Sequence, residues 1–83
     1  MTIDARNPAT PWPHLQALID SGGSISIGRI DPIPCAAVAS DEHTMYTALL
    51  RRDQESLTDL LNRLDAALSA AFDHNIYTDE INS

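Results

Sequence analysis

Cys35 and His43 are the pair in this sequence best suited to act as a nucleophile and its base. A cysteine attacks as a thiolate once a base takes its proton, and a third group usually orients the histidine. No third group is indicated here, and Cys35 lies among small apolar residues, where a free cysteine is typically an inert core residue. We therefore expect no cysteine-based catalysis.

Metal-ligating residue types are densest at residues 41–43, Asp-Glu-His. Metal sites gather several histidine, cysteine or carboxylate ligands, usually from closely paired positions. His14 and His74 lie far from this group in the sequence. Gly22 and Gly23 precede a predicted strand, whereas a phosphate-binding loop has its glycines between a strand and a helix. We therefore expect no metal site, no cofactor and no enzymatic activity.

Four residues are instead candidates for contact with a partner: Trp12, Arg51, Arg52 and Tyr77. Tryptophan, tyrosine and arginine are the residue types enriched at binding hot spots. Trp12, the only tryptophan, has an alternative interpretation as a core residue beside the start of a helix. The adjacent arginines suit a phosphate or a partner carboxylate, and the alternative is a solvated end of a structural element.

The composition indicates one small, acidic, globular domain spanning residues 1–83. A chain of this length has room for a single core, and 43% of its residues are hydrophobic. Twelve acidic and five basic residues give a net charge of −7. Nucleic acids and anionic membranes require clustered positive charge, so we expect neither as a partner.

Nothing in the sequence predicts export or a membrane span. A single cysteine excludes an intrachain disulfide. The first ten residues lack the apolar segment of a signal peptide, and no apolar run approaches the roughly 20 residues that a membrane span needs. We expect a cytoplasmic protein whose residues 1–9 form a flexible arm.

The clearest structural prediction is an amphipathic helix from Ser56 to about His74. Apolar residues recur there at helical spacing and form one wide stripe: Leu57, Leu60, Leu61, Leu64, Leu68, Ala71 and Phe72. Ser56 and Asp59 match a capping box, and Asp53 is the alternative N-cap. Asp59 and Arg63 are spaced for an ion pair. The other polar residues of this helix show no chemical pattern and are expected to face solvent.

The residues before this helix predict a short helix and three strands. A helix of about two turns follows Thr10 and ends at the two glycines. Residues 24–30 and 35–39 are typical of strands, with a bulge at Gly28 and a turn between them. Residues 44–51 favour a strand by alternation, and a helix capped by Ser40 is the alternative.

The predicted fold class is α+β, with a short N-terminal helix, a small antiparallel sheet of about three strands, and the long helix packed on one sheet face. Connections of about four residues require antiparallel neighbours. Residues 76–83 add either a tail or a short edge strand. Two helices are too few to cover both sheet faces, and exposed strand edges favour association.

Residues 24–72 resemble a known family in their element order and in the long helix, which opens DQESL and continues LLNRLDAAL. This stretch is similar to the HicB-like antitoxins, whose partial ribonuclease-H-like fold has three strands followed by a helix with a similar opening. The resemblance implies a small protein that neutralises a partner by binding it. Our main hypothesis is a non-enzymatic protein-interaction domain that acts by binding another protein or by forming a homodimer. The alternative is an acidic, antitoxin-like or nucleic-acid-mimicking inhibitor of a basic partner surface.

Overall fold

The computed structural model describes residues 10–82, so the flexible arm predicted for residues 1–9 lies outside the described residues. The elements in chain order are α1 (Pro13–Asp20), β1 (Ser24–Ile30), β2 (Ile33–Ser40), β3 (Met45–Leu50), α2 (Leu57–His74) and β4 (Thr78–Asp79). The strands form one sheet in the order β1-β2-β3-β4. The predicted α+β class is therefore confirmed. Neither α1 nor α2 is long and apolar enough to cross a lipid bilayer.

The sheet has one strand more than predicted, and this strand makes the sheet mixed. The first three strands are antiparallel neighbours, which confirms a strand rather than a helix for residues 44–51. β4 pairs in parallel with β3, Thr78 lying opposite Thr47. Because α2 carries the chain back across the sheet, the next strand enters in the same direction as β3. Of the two alternatives predicted for the C-terminal segment, the structure shows the short edge strand, at Thr78–Asp79.

Bulges adjust two of the three strand pairs. The predicted bulge at Gly28 is present as a register shift between Gly28 and Ile30. Pro34 lies opposite this irregular stretch. Proline has no backbone N–H, but at a bulge this removes no regular hydrogen bond between the two strands. β2 consequently begins at Ile33, although residues 31–34 were expected to be a turn. A second shift between Ala39 and Ser40 interrupts the pairing of β2 with β3.

The core lies between the two helices and one face of the sheet. It contains Leu60, Leu64 and Leu68 of α2, each 0% exposed. The residues packed with them come from α1 and from alternate positions of β2 and β3: Leu15, Leu18, Ala37, Ala39 and Leu49. The predicted stripe is too wide, since Leu57 in the first turn of α2 is 58% exposed and Phe72 in the last is 40% exposed.

Both ends of α2 are capped by residues next to the helix in sequence, and the N-cap is one of the two predicted. Ser56 is the N-cap, and its hydroxyl accepts a hydrogen bond from the backbone N–H of Asp59 at 3.0 Å. This excludes Asp53 as the cap. At the other end Asn75 takes the left-handed conformation with φ of 56°, which asparagine tolerates better than most residues.

The start of α1 is capped by a residue of α2, which the sequence did not predict. α1 has no side-chain cap of its own at Trp12. Asp65 instead accepts from the backbone N–H groups of His14 and Leu15, both at 2.9 Å, and its second oxygen lies 3.0 Å from His14 Nδ1. Asn62 accepts from the Trp12 indole N–H at 2.8 Å. Two residues expected to face solvent therefore join the helices.

Asp65→Ala is expected to loosen α1. The substitution leaves two helix N-terminal donors without their acceptor, and loss of a capping acceptor typically costs about 0.5–2 kcal/mol. Amide hydrogen exchange in α1 should become faster than in the wild type, whereas exchange in β2 should change much less. Asp73→Ala, an exposed position on the same helix, is the control and should leave exchange in α1 unchanged. Equal protection of α1 in both variants would contradict this cap.

Candidate functional site

β1 forms a long open edge of the sheet. It is bonded to β2 on one side, and within residues 10–82 no strand lies on its other side. β1 has seven residues, whereas β4 at the opposite edge has two. At about 3.3 Å per residue, the open edge extends for roughly 23 Å. Such an edge presents unpaired backbone N–H and C=O groups that can pair with another strand.

The first five residues of the open edge lack the usual residues that prevent strand pairing. From Ser24 to Gly28 it contains no charge and no proline, the residues with which proteins commonly protect an edge. Arg29 is the one charged residue of β1, and its Nε donates to Asp31 at 2.6 Å. Ile27 is 40% exposed at this edge. The edge is therefore close to neutral in a chain of net charge −7.

A shallow apolar groove lies beside this edge. It has a volume of about 250 Å³ and is lined chiefly by Trp12, Leu15 and Ile19 from the α1 region and by Ile25 of β1. Ile19 is 49% exposed. Trp12 packs against the core and also lines the groove, and its contact with a partner stays a prediction. The open edge of β1 and this groove together form what we call the β1 surface.

Tyr77 lies near the opposite edge of the sheet, just before β4. Its ring centroid is 6.1 Å from that of Tyr46, and the Phe72 ring approaches Tyr46 from α2 with centroids 5.1 Å apart. Tyr77 is 52% exposed and the adjacent Ile76 is 57% exposed. Tyr77 is therefore an accessible aromatic residue, as a partner contact requires, but it is remote from the β1 surface.

Arg51 and Arg52 follow β3 and are both exposed. The Nε of Arg51 donates to the carbonyl oxygen of Glu55 at 2.8 Å, and the backbone N–H of Arg52 donates to a Glu55 carboxylate oxygen at 3.0 Å. These bonds hold the arginines at the rim of a cleft beside Pro32 and Pro34. The two arginines form a third location, separate from Trp12 and Tyr77.

Arg63 of α2 binds the loop between β3 and α2 and also the C-terminal segment. Its guanidinium donates to both Glu55 oxygens, at 2.7 and 2.9 Å, and to the Leu50 carbonyl oxygen at 2.9 Å. It also lies 3.5 Å from Glu80. The predicted pair with Asp59 is wrong, because these partners from the loop and the tail take the guanidinium instead. Hydrogen bonds from Arg63 and from the Arg52 backbone lower the pKa of Glu55 from 4.5 to about 2.

The residues considered for chemistry serve local structure or lie apart. Asp41 accepts from the backbone N–H groups of residues 43 and 44, both at 2.8 Å, and from the Tyr46 hydroxyl at 2.6 Å. These bonds hold the pKa of Asp41 below its ordinary 3.8, the Tyr46 hydroxyl having the largest effect. Cys35 lies near the start of β2 and His43 in the turn after its end, and the strand from Cys35 to Ser40 alone spans roughly 16 Å. Within residues 10–82, no three His, Cys, Asp or Glu side chains are placed so that they could hold a metal ion together.

The four predicted contact residues are thus placed in three separate regions: Trp12 at the β1 surface, the two arginines at the cleft, and Tyr77 at the opposite edge. Ile19 and Ile27 of the β1 surface were not among them. The alternation of Ile25 and Ile27 was a visible signal, but the sequence did not show which strand would be outermost. No protein-family model, curated protein or solved structure matches this chain.

Proposed function

We propose that this protein is a non-enzymatic interaction domain that associates with a second copy of itself through β1. The observation that carries the proposal is the open seven-residue edge of β1 beside an apolar groove. Pairing would satisfy the unpaired backbone groups of the edge and cover Ile27 and Ile19. A domain of 83 residues gains particularly from such burial, because it buries a small fraction of its own surface.

The sequence of β1 suits antiparallel pairing with itself. If the two-fold axis passes beside Ser26, then Ile25 of one copy lies opposite Ile27 of the other on the helix-covered face. On the other face Ser24 lies opposite Gly28, so no like charges meet. An axis beside Ile27 would instead place Ile25 opposite Arg29. The first register is favoured because cross-strand aliphatic pairs stabilise a sheet.

The test is the molar mass in solution by size-exclusion chromatography with light scattering. The wild type should be a dimer that dissociates on dilution. Ile27→Lys should weaken the dimer about tenfold or more, because it places a charge in the paired edge. Ile76→Lys, at an exposed isoleucine near the opposite edge, is the control and should remain dimeric. A wild type that stays monomeric up to millimolar concentration would overturn the proposal.

Ser26→Lys provides a second variant that leaves the core intact, since Ser26 is exposed on the other face of β1. In the favoured register it places two lysines directly opposite each other, which is destabilising. Light scattering should show both edge variants as monomers, and thermal unfolding by circular dichroism should show that both are folded. A folded Ser26→Lys variant that dimerises as tightly as the wild type would exclude this edge as the interface.

A second candidate function is inhibition of a basic partner, and the net charge of −7 favours it. The resemblance to HicB-like antitoxins stays a prediction and points the same way. Salt distinguishes the two functions. Two copies of an acidic chain repel each other, so salt should strengthen the dimer, whereas it should weaken binding to a basic surface. A captured partner whose binding is insensitive to salt would argue against the second function.

A further inference from the structure

A second concave site lies at the end of the sheet where β2 begins and β3 ends. This cleft has a volume of about 380 Å³. Its apolar wall consists of Pro32, Ile33, Pro34 and Leu50. Its basic rim consists of Arg51 and Arg52. Sites for small molecules are typically concave, mostly apolar and of roughly 300–1,000 Å³, with a few polar groups that orient the ligand.

The charge at this cleft is opposite in sign to that of the chain. Arg51, Arg52 and Asp53 are among the residues that line it, which gives two positive charges and one negative charge, although the protein carries −7 overall. Ion pairs engage Arg29 and Arg63 elsewhere. Within the part of the chain that the structure describes, no carboxylate lies within ion-pair distance of the Arg51 or Arg52 guanidinium. Local positive charge beside an apolar wall favours an anion with an apolar body.

The backbone that carries the two arginines is held in place. The Arg51 N–H donates to the Cys35 carbonyl oxygen at 3.1 Å, and the Arg52 N–H donates to Glu55 at 3.0 Å. The Glu55 carboxylate is in turn bound by Arg63 at 2.7 Å, and its side chain is 7% exposed. It is therefore not available to compete with a ligand for the Arg51 and Arg52 guanidinium groups. A rim ordered before binding loses less conformational entropy when a ligand binds.

We propose that this cleft binds a small organic acid. The apolar body of the acid packs against Pro32, Pro34 and Leu50, and its carboxylate accepts hydrogen bonds from Arg51 and Arg52. Guanidinium groups bind carboxylates through paired, charge-assisted hydrogen bonds, which are about twice as strong as neutral ones. This site is separate from the β1 surface, so either proposal can fail without the other.

The only cysteine of the protein reports whether the cleft is occupied. Cys35 is partly exposed and lines the cleft. Naphthoate is a suitable probe, because it joins an apolar ring to a carboxylate, and naphthalenemethanol is its neutral counterpart. Naphthoate should slow the alkylation of Cys35 by iodoacetamide in a saturable manner. Naphthalenemethanol should give much weaker protection at the same concentrations.

Substitutions of opposite charge test the role of the rim. Arg51→Gln and Arg52→Gln should each weaken naphthoate protection about tenfold, the effect of losing one charge-assisted contact. Asp53→Asn should strengthen it. Ala66→Glu, at an exposed position of α2, changes the net charge as the arginine variants do and should leave protection unchanged.

Three results would overturn the proposal. They are equal protection by naphthoate and naphthalenemethanol, no protection by either compound, and a loss of protection in Ala66→Glu equal to that in Arg51→Gln. The exposed positions of the two arginines make misfolding of these variants unexpected, and thermal unfolding by circular dichroism checks it. Protection that tightens with Asp53→Asn and weakens with both arginine variants would establish the carboxylate site.

Discussion

Leu64→Asp is expected to leave the chain unfolded at room temperature. Leu64 is 0% exposed and packs in the core with Leu15, Leu18 and Leu60. Loss of a buried leucine alone typically costs about 2–5 kcal/mol, and a buried carboxylate without a partner adds several more. At about 0.05–0.15 kcal/mol per residue, a domain of this size has roughly 4–12 kcal/mol of stability in total. Far-ultraviolet circular dichroism should show loss of helix.

Leu57→Asp makes the same chemical change at another member of the predicted stripe. Leu57 is the first residue of α2 and is 58% exposed. A negative charge in the first turn interacts favourably with the positive end of the helix dipole. This variant should therefore fold and melt within a few degrees of the wild type. A folded Leu64→Asp variant would show that the stripe is not the core.

Glu55→Gln is expected to lower the melting temperature at neutral pH and to have a progressively smaller effect in acid. Glu55 has a pKa of about 2 in the folded protein, against 4.5 ordinarily, chiefly because of its hydrogen bonds from Arg63. A carboxyl group whose pKa is lowered by folding stabilises the native state above its ordinary pKa. That stabilisation is lost as the pH falls through 4.5 toward 2. The melting temperatures of variant and wild type should therefore converge over this window.

The measurement is thermal unfolding of both proteins at several pH values. The difference between them is the informative quantity, because Asp41 and Asp79 also have lowered pKa values and destabilise the wild type in acid. Glu42→Gln is the control, since the Glu42 side chain is 82% exposed. It should change the melting temperature little, as most exposed substitutions do. A Glu55→Gln effect that grows in acid would contradict the role assigned to Arg63.

The elements that depend on local sequence were predicted correctly. α2 was predicted from Ser56 to about His74, with Ser56 as one of two candidate N-caps, because apolar spacing and capping chemistry act within a few residues of the chain. The bulge at Gly28 was likewise predicted, and at residues 44–51 the local pattern favoured the observed strand over a helix capped by Ser40. β4 was left as one of two alternatives, since a two-residue strand exists only through its pairing with β3.

The polar side of α2 is where prediction from sequence failed. Asn62 and Asp65 were expected to face solvent, and Arg63 was expected to pair with Asp59, but each of the three binds a group from another part of the fold. Asp65 caps a helix about 50 positions earlier in the chain, and Arg63 joins the loop before α2 to Glu80 after it. Helical periodicity shows on which side of a helix a residue lies. It does not show which other element covers that side.

The same distinction holds for the candidate sites. The sequence by itself determined the residue types: an acidic chain without lysine, two adjacent arginines, one tryptophan and an alternating strand at residues 24–30. Only the tertiary structure decided that β1 is the open edge and that the arginines border an apolar cleft with Pro32 and Pro34. The physical reason is that strand order and cleft formation depend on contacts between residues far apart in the chain, whereas pattern and capping depend on near neighbours.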